Sequence, residues 1–305
     1  MTDPAAAAST LANTSGPSRH GLGILLVLIS TIAWGSGGLF VRLLPYDPWT
    51  IVFWRGVFGT LFIGSYVFWR FGRGTWSTIH AMGPAGLFIT ACSAGTITLM
   101  VPAFQNTSVA NAMTIYASLP FITAAVARVW LRERPSASTM VASFAALCGI
   151  FIMLGPSSGG PRPGDFLAFL ATLSMALMTV AIRRIRHIET LPVAGLATLL
   201  TIFISFPLAQ HLLDLSPRDS LVAAGFGLVP MTLGMMIFVI GSALIPAALA
   251  ALISTLETPI GALWAWVGVG EVPAFTTFIG GAIVLVSVFG NLLHDRYRSQ
   301  AMTQP

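Results

Sequence analysis

Two stretches of this chain follow one pattern: LPFITAAVARVWLRERP at residues 119–135 and TPIGALWAWVGVGEVP at residues 258–273. In each, a proline (Pro120 or Pro259) interrupts an apolar run that closes on Glu-x-Pro, with Pro-to-Glu intervals of 13 and 12 residues. Matching helix interruptions in corresponding places of two halves indicate a membrane transporter built from repeats. The pattern therefore predicts a repeated helical membrane protein whose interruptions lie near the middle of the membrane.

The composition places the chain in a membrane. Hydrophobic residues make up 55% of it, charged residues 8%, and its mean hydropathy is +0.85, whereas a soluble domain carries about 25% charged residues. A helix needs about 20 apolar residues to cross the hydrocarbon core. We expect an all-α polytopic fold of ten transmembrane helices joined by short loops, with no room for a soluble catalytic domain. The ten apolar stretches are centred near Ile32, Leu61, Ala91, Leu119, Ala146, Ser174, Phe203, Leu233, Thr258 and Val284.

The arginines predict the orientation, since the chain has no lysine and its 15 basic residues are all arginines. With the N-terminus inside, one face collects eleven of them and the opposite face holds three, Arg42, Arg162 and Arg218. The positive-inside rule then places both termini in the cytoplasm. Residues 1–20 are predicted to be a disordered cytoplasmic tail, and residues 295–305 a second cytoplasmic tail.

The two halves of the sequence align, which predicts two units, residues 21–155 and residues 162–294. Gly23 to Arg42 parallels Gly164 to Arg183, and residues 110–135 parallel residues 249–273. Each unit holds five predicted spans. Because five is odd, the second unit enters the membrane upside down relative to the first. Inverted repeats of this kind place substrate sites near the midplane, at the interface between the repeats.

Several motifs of this repeat resemble a known family. They are Trp34-Gly35-Ser36 in the first span, Pro48 followed by Arg55 in the second, and the two segments that end in Glu133 and Glu271. In their order and spacing the chain resembles the drug/metabolite transporter superfamily, and most closely its EamA-type branch. The resemblance implies a fold of two inverted five-helix repeats, often found in exporters of metabolites. Within the branch, the sequence is similar to YddG-like exporters of aromatic and other neutral amino acids.

Glu257 is the main candidate functional residue. It lies near the centre of the ninth predicted span, where a charged acid costs about 2.5–3.5 kcal/mol on insertion scales. Two interpretations stay open: a contact with a substrate ammonium group or a coupling proton, or a structural acid bonded to backbone freed by Pro259.

A set of aromatic and polar residues on helical faces is predicted to line a central substrate cavity. Trp34, Tyr116 and Trp264 are aromatics away from most span ends and would pack on the apolar part of a substrate. Asn111 and Ser254 would hydrogen-bond its polar end. Small and polar stripes also serve simply to pack membrane helices, so packing is the alternative for each.

Other residues are candidates for coupling, gating or bending. Arg55 could bind a substrate carboxylate, although internal pairing or snorkelling toward the interface is the favoured interpretation. His80 is a possible proton carrier or gate, although an interfacial position explains it as well. The predicted helix interruptions or hinges are Gly37, Pro120, Pro230 and Pro259.

The sequence thus predicts a multi-pass transporter of a bacterial-type inner membrane. It would export small metabolites, most simply aromatic or neutral amino acids, by alternating access. Exporters of cationic drugs or other metabolites on the same fold, and a non-transporting scaffold, remain the alternatives. We find no catalytic pattern, and the two cysteines lie in predicted spans, so neither an enzyme, a cofactor, a metal site nor a nucleic-acid partner is expected.

Overall fold

The computed structural model of the chain describes residues 17–132, 137–153, 161–185, 190–242, 244–245, 250 and 253–301. Those residues are almost entirely helical and include no strand. Glu133 lies outside the described residues. The helices are α1 (Pro17–Gly35), α2 (Gly37–Leu43), α3 (Pro48–Phe71), α4 (Thr75–Ala81), α5 (Gly83–Asn106), α6 (Val109–Tyr116), α7 (Leu119–Trp130), α8 (Ala137–Met153), α9 (Pro163–Arg184), α10 (Thr190–Ser205), α11 (Pro217–Phe226), α12 (Gly234–Ser242), α13 (Glu257–Val269) and α14 (Phe275–Ala301).

Six helical segments of the described chain are long and apolar enough to cross a membrane. Shorter apolar helices accompany them at Met140–Gly149, Leu191–Ser205 and Phe275–Ser287. The expectation of a helical, multi-pass membrane protein is confirmed, while the number of ten spans stays a prediction. The six segments are His20–Leu43, Pro48–Phe71, Gly83–Asn106, Val109–Trp130, Pro163–Ile182 and Pro217–Ser242.

The outer surface carries the large apolar side chains that a lipid environment requires. Trp69 is 77% exposed, Val129 82% and Val286 71%. On a soluble protein, contiguous apolar surface of this kind marks a contact with a membrane or a partner. On helices of this length and composition, it faces lipid.

Two long helical segments are broken at corresponding positions. The turn at residues 117–118 separates α6 from α7, and a turn at residues 255–256 precedes α13. Pro120 and Pro259 each fall in the first turn of the helix after the break, where the missing N–H has no helical partner in any case. The chain therefore breaks just before each proline, and both prolines are exposed on the outer surface.

The helix packing repeats between the halves. Helix α3 packs on α10 and α8 packs on α14, which pairs the second and fifth segments of one half with those of the other. The contact of α5 with α9 has its counterpart in the contact of α12 with α1. Exchanging the two halves therefore maps this packing pattern onto itself.

The buried packing differs between the two ends of the bundle. The end that holds Arg42, called here the Arg42 end, contains the largest buried apolar cluster, which includes Ile51, Phe104, Val109 and Phe226. The opposite end has smaller separate clusters, one around Ile89 and one around Val27. Among the described residues, the Arg42 end therefore has the larger buried apolar cluster.

Polar contacts also hold the Arg42 end together. The Tyr46 hydroxyl donates to Asp219 Oδ2 at 2.8 Å, and this bond raises the pKa of Tyr46 above its ordinary value. Gln105 Nε2 donates to the carbonyl of Tyr46 at 2.9 Å, and Trp54 Nε1 donates to the carbonyl of Leu212 at 3.2 Å. These bonds tie the connections at residues 44–47 and 206–216 to helices α3, α5 and α11.

Gly164 marks a helix contact that tolerates no side chain. A Cβ atom there would lie 2.5 Å from the backbone atoms C of Asn106 and N of Thr107. Because backbone cannot move aside as a side chain can, we expect Gly164→Ala to lower the free energy of unfolding by about 1–3 kcal/mol or more. Thermal unfolding in detergent measures the loss. Gly21→Ala is the control, since nothing lies within 4 Å of that position, and equal midpoints for the two variants would contradict the prediction.

Candidate functional site

A cavity of about 320 Å³, called here the main cavity, lies between the two halves of the helix bundle. Its wall combines the broken segment α1–α2, the start of α13, and helices α3, α5, α6, α9 and α10. A π-helical turn at Gly227–Leu233 completes it, together with the adjoining ends of α11 and α12. Such turns are rare and often accompany functional sites. The lining residues are Trp34, Gly37, Arg55, Ser93, Thr96, Ile97, Met100, Val101, Phe104, Met113, Tyr116, Met175, Met178, Ile182, Val193, Ala194, Phe226, Pro230, Met231, Met235 and Glu257.

Methionines dominate the apolar part of this wall. Six of the chain's 12 methionines line the cavity, and they come from both halves of the sequence. Methionine is unbranched and polarizable, so it adapts to apolar groups of different shape. The wall can therefore accommodate apolar ligands of different shapes. The six are Met100, Met113, Met175, Met178, Met231 and Met235.

Glu257 contributes a carboxyl group to the cavity from the first residue of α13. Its carboxylate makes no hydrogen bond or ion pair with any described residue. Tyr116, the last residue of α6, stands near enough for electrostatic interaction with it. The two residues sit at the corresponding helix breaks, so both breaks contribute polar groups to the same space.

Arg55 supplies the positive charge. Its Nη2 donates to the sulfur of Met231, and its guanidinium carbon lies 4.7 Å from the centre of the Phe226 ring. No described carboxylate lies within 4.0 Å of it. The sequence favoured internal pairing or snorkelling for Arg55, whereas the structure places it in the cavity wall with no acidic partner among the described residues.

Trp34 forms part of the wall where α1 approaches α12. Its ring centre lies 4.9 Å from that of Phe238, and a Cβ added to Gly234 would come within 2.7 Å of the indole. The absence of a side chain at Gly234 therefore makes room for the ring. Gly37 and Pro230 also line the cavity, Gly37 at the start of α2 and Pro230 within the π-helical turn.

The structure separates from this cavity four residues that the sequence assigned to substrate binding or gating. Asn111 is buried elsewhere, where its side-chain oxygen accepts a bond from Thr277 at 2.8 Å. Ser254 bonds back to the carbonyl of Ala250 at 2.9 Å, as a helical serine can when it has no other partner. Trp264 donates from Nε1 to the carbonyl of Ile32 at 3.1 Å and is partly exposed on the outer surface.

His80 is the fourth of these residues, and it lies on the short helix α4. It is exposed, and its ring meets that of Trp76 edge to face at 5.0 Å between centres. This position fits the interfacial interpretation, since aromatic residues concentrate at membrane–water interfaces.

A second cavity of about 420 Å³ lies at the Arg42 end and has a polar wall. Arg42 Nε donates to Glu271 Oε2 at 2.7 Å, and Arg42 Nη2 donates to the carbonyl of Thr107 at 2.8 Å. Glu271 Oε1 accepts the backbone N–H of Val109 at 2.6 Å, at the N-terminus of α6. Asn111 also lines this cavity. Arg42 and Glu271 form an ion pair in this second cavity, whereas neither Glu257 nor Arg55 in the main cavity is paired with an opposite charge among the described residues.

We expect Glu271→Ala to lower the free energy of unfolding by about 1–3 kcal/mol, because Arg42 and the Val109 N–H both lose a charged acceptor. Glu271→Gln should lose less, since an amide oxygen can still accept the Val109 N–H. Unfolding midpoints of the purified variants in detergent measure both. An unchanged midpoint for Glu271→Ala would show that the network contributes no stability.

A model of the EamA-like transporter family matches the chain twice, over residues 21–155 and 162–293. An uncharacterized transporter of Archaeoglobus fulgidus is 25% identical over 269 residues, which are 86% of this chain and 93% of the other. A solved crystal structure of a protein shares the fold with a TM-score of 0.59 at 19% identity, over 92% of this chain and 99% of that one. The resemblance to the EamA-type branch that was drawn from the sequence motifs is confirmed, whereas the narrower similarity to amino acid exporters stays a prediction.

Proposed function

This chain belongs to the EamA-like transporter family, and on that premise we propose that it exports small amphipathic metabolites, most simply aromatic and neutral amino acids. Membership makes it a membrane transporter, which is not an enzyme class. The proposal adds the substrate, the direction of transport and the path through the cavity between the halves. It also places the protein in a bacterial-type inner membrane.

One observation carries the choice of substrate. The main cavity combines an apolar, methionine-rich wall with one carboxylate, Glu257, and one guanidinium, Arg55, and neither is paired with an opposite charge among the described residues. Buried charges are ordinarily paired. A ligand that carries both charges and an apolar side chain would satisfy each of these groups at once. A neutral or aromatic amino acid is the simplest such ligand.

The proposed mechanism is alternating access. Ten spans in two inverted repeats, with both termini in the cytoplasm, would place the Arg42 end at the outer face. The large buried apolar cluster and the Arg42–Glu271 pair at that end support a state closed to the outside. Export would then require this packing to separate while the opposite end closes. The breaks at residues 117–118 and 255–256 and the π-helical turn are the places where such bending costs least.

An exporter of cationic drugs is the second candidate on the same fold. Glu257 in an apolar wall would suit a lipophilic cation, but Arg55 in the same wall would repel it. The structure therefore favours a ligand with both charges over one with only a positive charge.

Reconstitution tests the proposal. The purified protein is placed in liposomes with labelled phenylalanine, leucine and a cationic dye, each with and without a pH gradient, and empty liposomes are the control. We expect flux of the amino acids above the control and none of the dye. Dye flux alone would favour the drug exporter, and no flux of any compound would favour a scaffold.

A further inference from the structure

We propose that Arg55 binds the carboxylate of the substrate and thereby selects amino acids over the corresponding amines. The inference rests on the proposed transport function and assigns one role within it. Its starting point is the position of Arg55 in α3, one turn from the buried Ile51 and Val52 and in the wall of the main cavity.

The contacts of the half-buried guanidinium satisfy only part of its hydrogen-bonding capacity. Its Nη2 faces the thioether of Met231, which is a weak acceptor. Its Nε is shielded from solvent and has no hydrogen-bond partner. The Phe226 ring at 4.7 Å offers a cation–π contact, which compensates only part of the hydration that burial removes. The guanidinium therefore retains donors for an anion.

The surroundings hold the guanidinium in one orientation. Phe226 is itself backed by Phe40, whose ring lies 5.5 Å away at an angle of 7°. Arginine presents a planar fork of donors that matches a carboxylate in two parallel hydrogen bonds. A guanidinium already fixed against an aromatic ring loses little freedom when it forms those bonds.

The rest of the cavity indicates which anion fits. Its apolar wall disfavours a small hydrated anion such as chloride, which would bring no apolar group to bury. Glu257, in the same wall, provides a place for an ammonium group. These lining groups therefore suit a carboxylate that belongs to a zwitterion with an apolar side chain.

Three compounds share one aromatic ring and differ in their charged groups. Phenylalanine carries both a carboxylate and an ammonium group, phenethylamine lacks the carboxylate, and 3-phenylpropionate lacks the ammonium group. In liposomes, Arg55→Gln should raise the KM for phenylalanine about tenfold or more, since it removes a charge-assisted contact. Phenethylamine flux should stay at its wild-type level or rise. The ratio of phenylalanine flux to phenethylamine flux should therefore fall.

Arg70→Gln is the matched control, because Arg70 lies on the same helix but is exposed, with its guanidinium over Phe71. It should leave both fluxes unchanged. If phenylalanine KM is unchanged in folded Arg55→Gln, or if both compounds lose flux in parallel, Arg55 does not select the carboxylate. If the wild type moves no amino acid at all, the proposed function fails, which is a different result.

A measurement on the wild type alone covers the case in which Arg55→Gln does not fold. Unlabelled 3-phenylpropionate should compete with phenylalanine uptake more strongly than benzyl alcohol, which has the ring but no charge. Equal competition by the two compounds would overturn the assignment, because the carboxylate would then contribute nothing to recognition.

Discussion

Glu257→Gln is expected to lower amino-acid flux about tenfold or more while leaving the protein folded. Glutamine keeps the size of the side chain but loses the charge, and a hydrogen bond to a charged group contributes about 1.5–3 kcal/mol. Since 1.4 kcal/mol corresponds to a factor of ten in affinity, the loss in substrate binding alone reaches that size. Initial rates in liposomes measure it, with size-exclusion profiles as the test of folding.

The form of the loss distinguishes the two roles left open for Glu257. If the carboxylate binds the ammonium group, KM rises and both gradient-driven flux and exchange of labelled for unlabelled substrate fall. If it carries a coupling proton, exchange persists and only the response to a pH gradient is lost. Asp214→Asn is the control, because Asp214 is an exposed acid paired with His211. Wild-type rates for Glu257→Gln in both assays would leave Glu257 a structural acid.

Ser93→Trp should abolish flux, because it places the largest side chain in the wall of the main cavity. Ser93 lies on α5 and lines the cavity, whose whole volume is about 320 Å³. The added ring would occupy the space that the substrate needs. A drop to the level of empty liposomes is the expected result for phenylalanine.

Two variants show whether any loss comes from the blocked cavity. Ser93→Ala removes the hydroxyl without filling space and should retain most of the flux. Val129→Trp adds the same ring on the outer surface, where Val129 is 82% exposed, and should transport as the wild type does. Transport by folded Ser93→Trp at the wild-type rate would mean that the substrate takes another path.

The sequence predicted a helical membrane protein with interrupted helices, because both features depend on local properties of the chain. A run of apolar residues specifies a membrane helix wherever it packs. Pro120 and Pro259 restrict the backbone of the residue before them, so they mark a break within a few residues. The end of α13 is similar, since Gly270 adopts the left-handed conformation at φ 71° that favours glycine.

The lining of the cavity was only partly predictable, because helical spacing does not say what each face meets. Glu257 and Trp264 share a helical face, being two turns apart on α13. At the level of Glu257 that face borders the cavity, whereas the indole of Trp264 bonds to the backbone of Ile32. The difference comes from the neighbouring helix and not from α13 itself.

Tertiary contacts also set the surroundings of Arg55 and Asn111. Arg55 lies about a third of the way along the second predicted span, where internal pairing or snorkelling was expected, but it contacts Met231 and Phe226 from a segment more than 150 residues away. Asn111 has the spacing of a cavity residue, yet Thr277 of α14 takes its side-chain oxygen. The methionines of the wall gave no signal in the sequence, because residues from the two halves come together only in the folded protein.

Protection of a cavity cysteine by substrate tests the central claim most directly. The two native cysteines, Cys92 and Cys148, are replaced by alanine, and Ser93→Cys is labelled with a small thiol reagent. We expect phenylalanine to slow this labelling in proportion to its occupancy, and to leave labelling of His80→Cys, on the exposed helix α4, unchanged. A labelling rate at position 93 that no transported compound alters would contradict the account, because the substrate would then bind elsewhere.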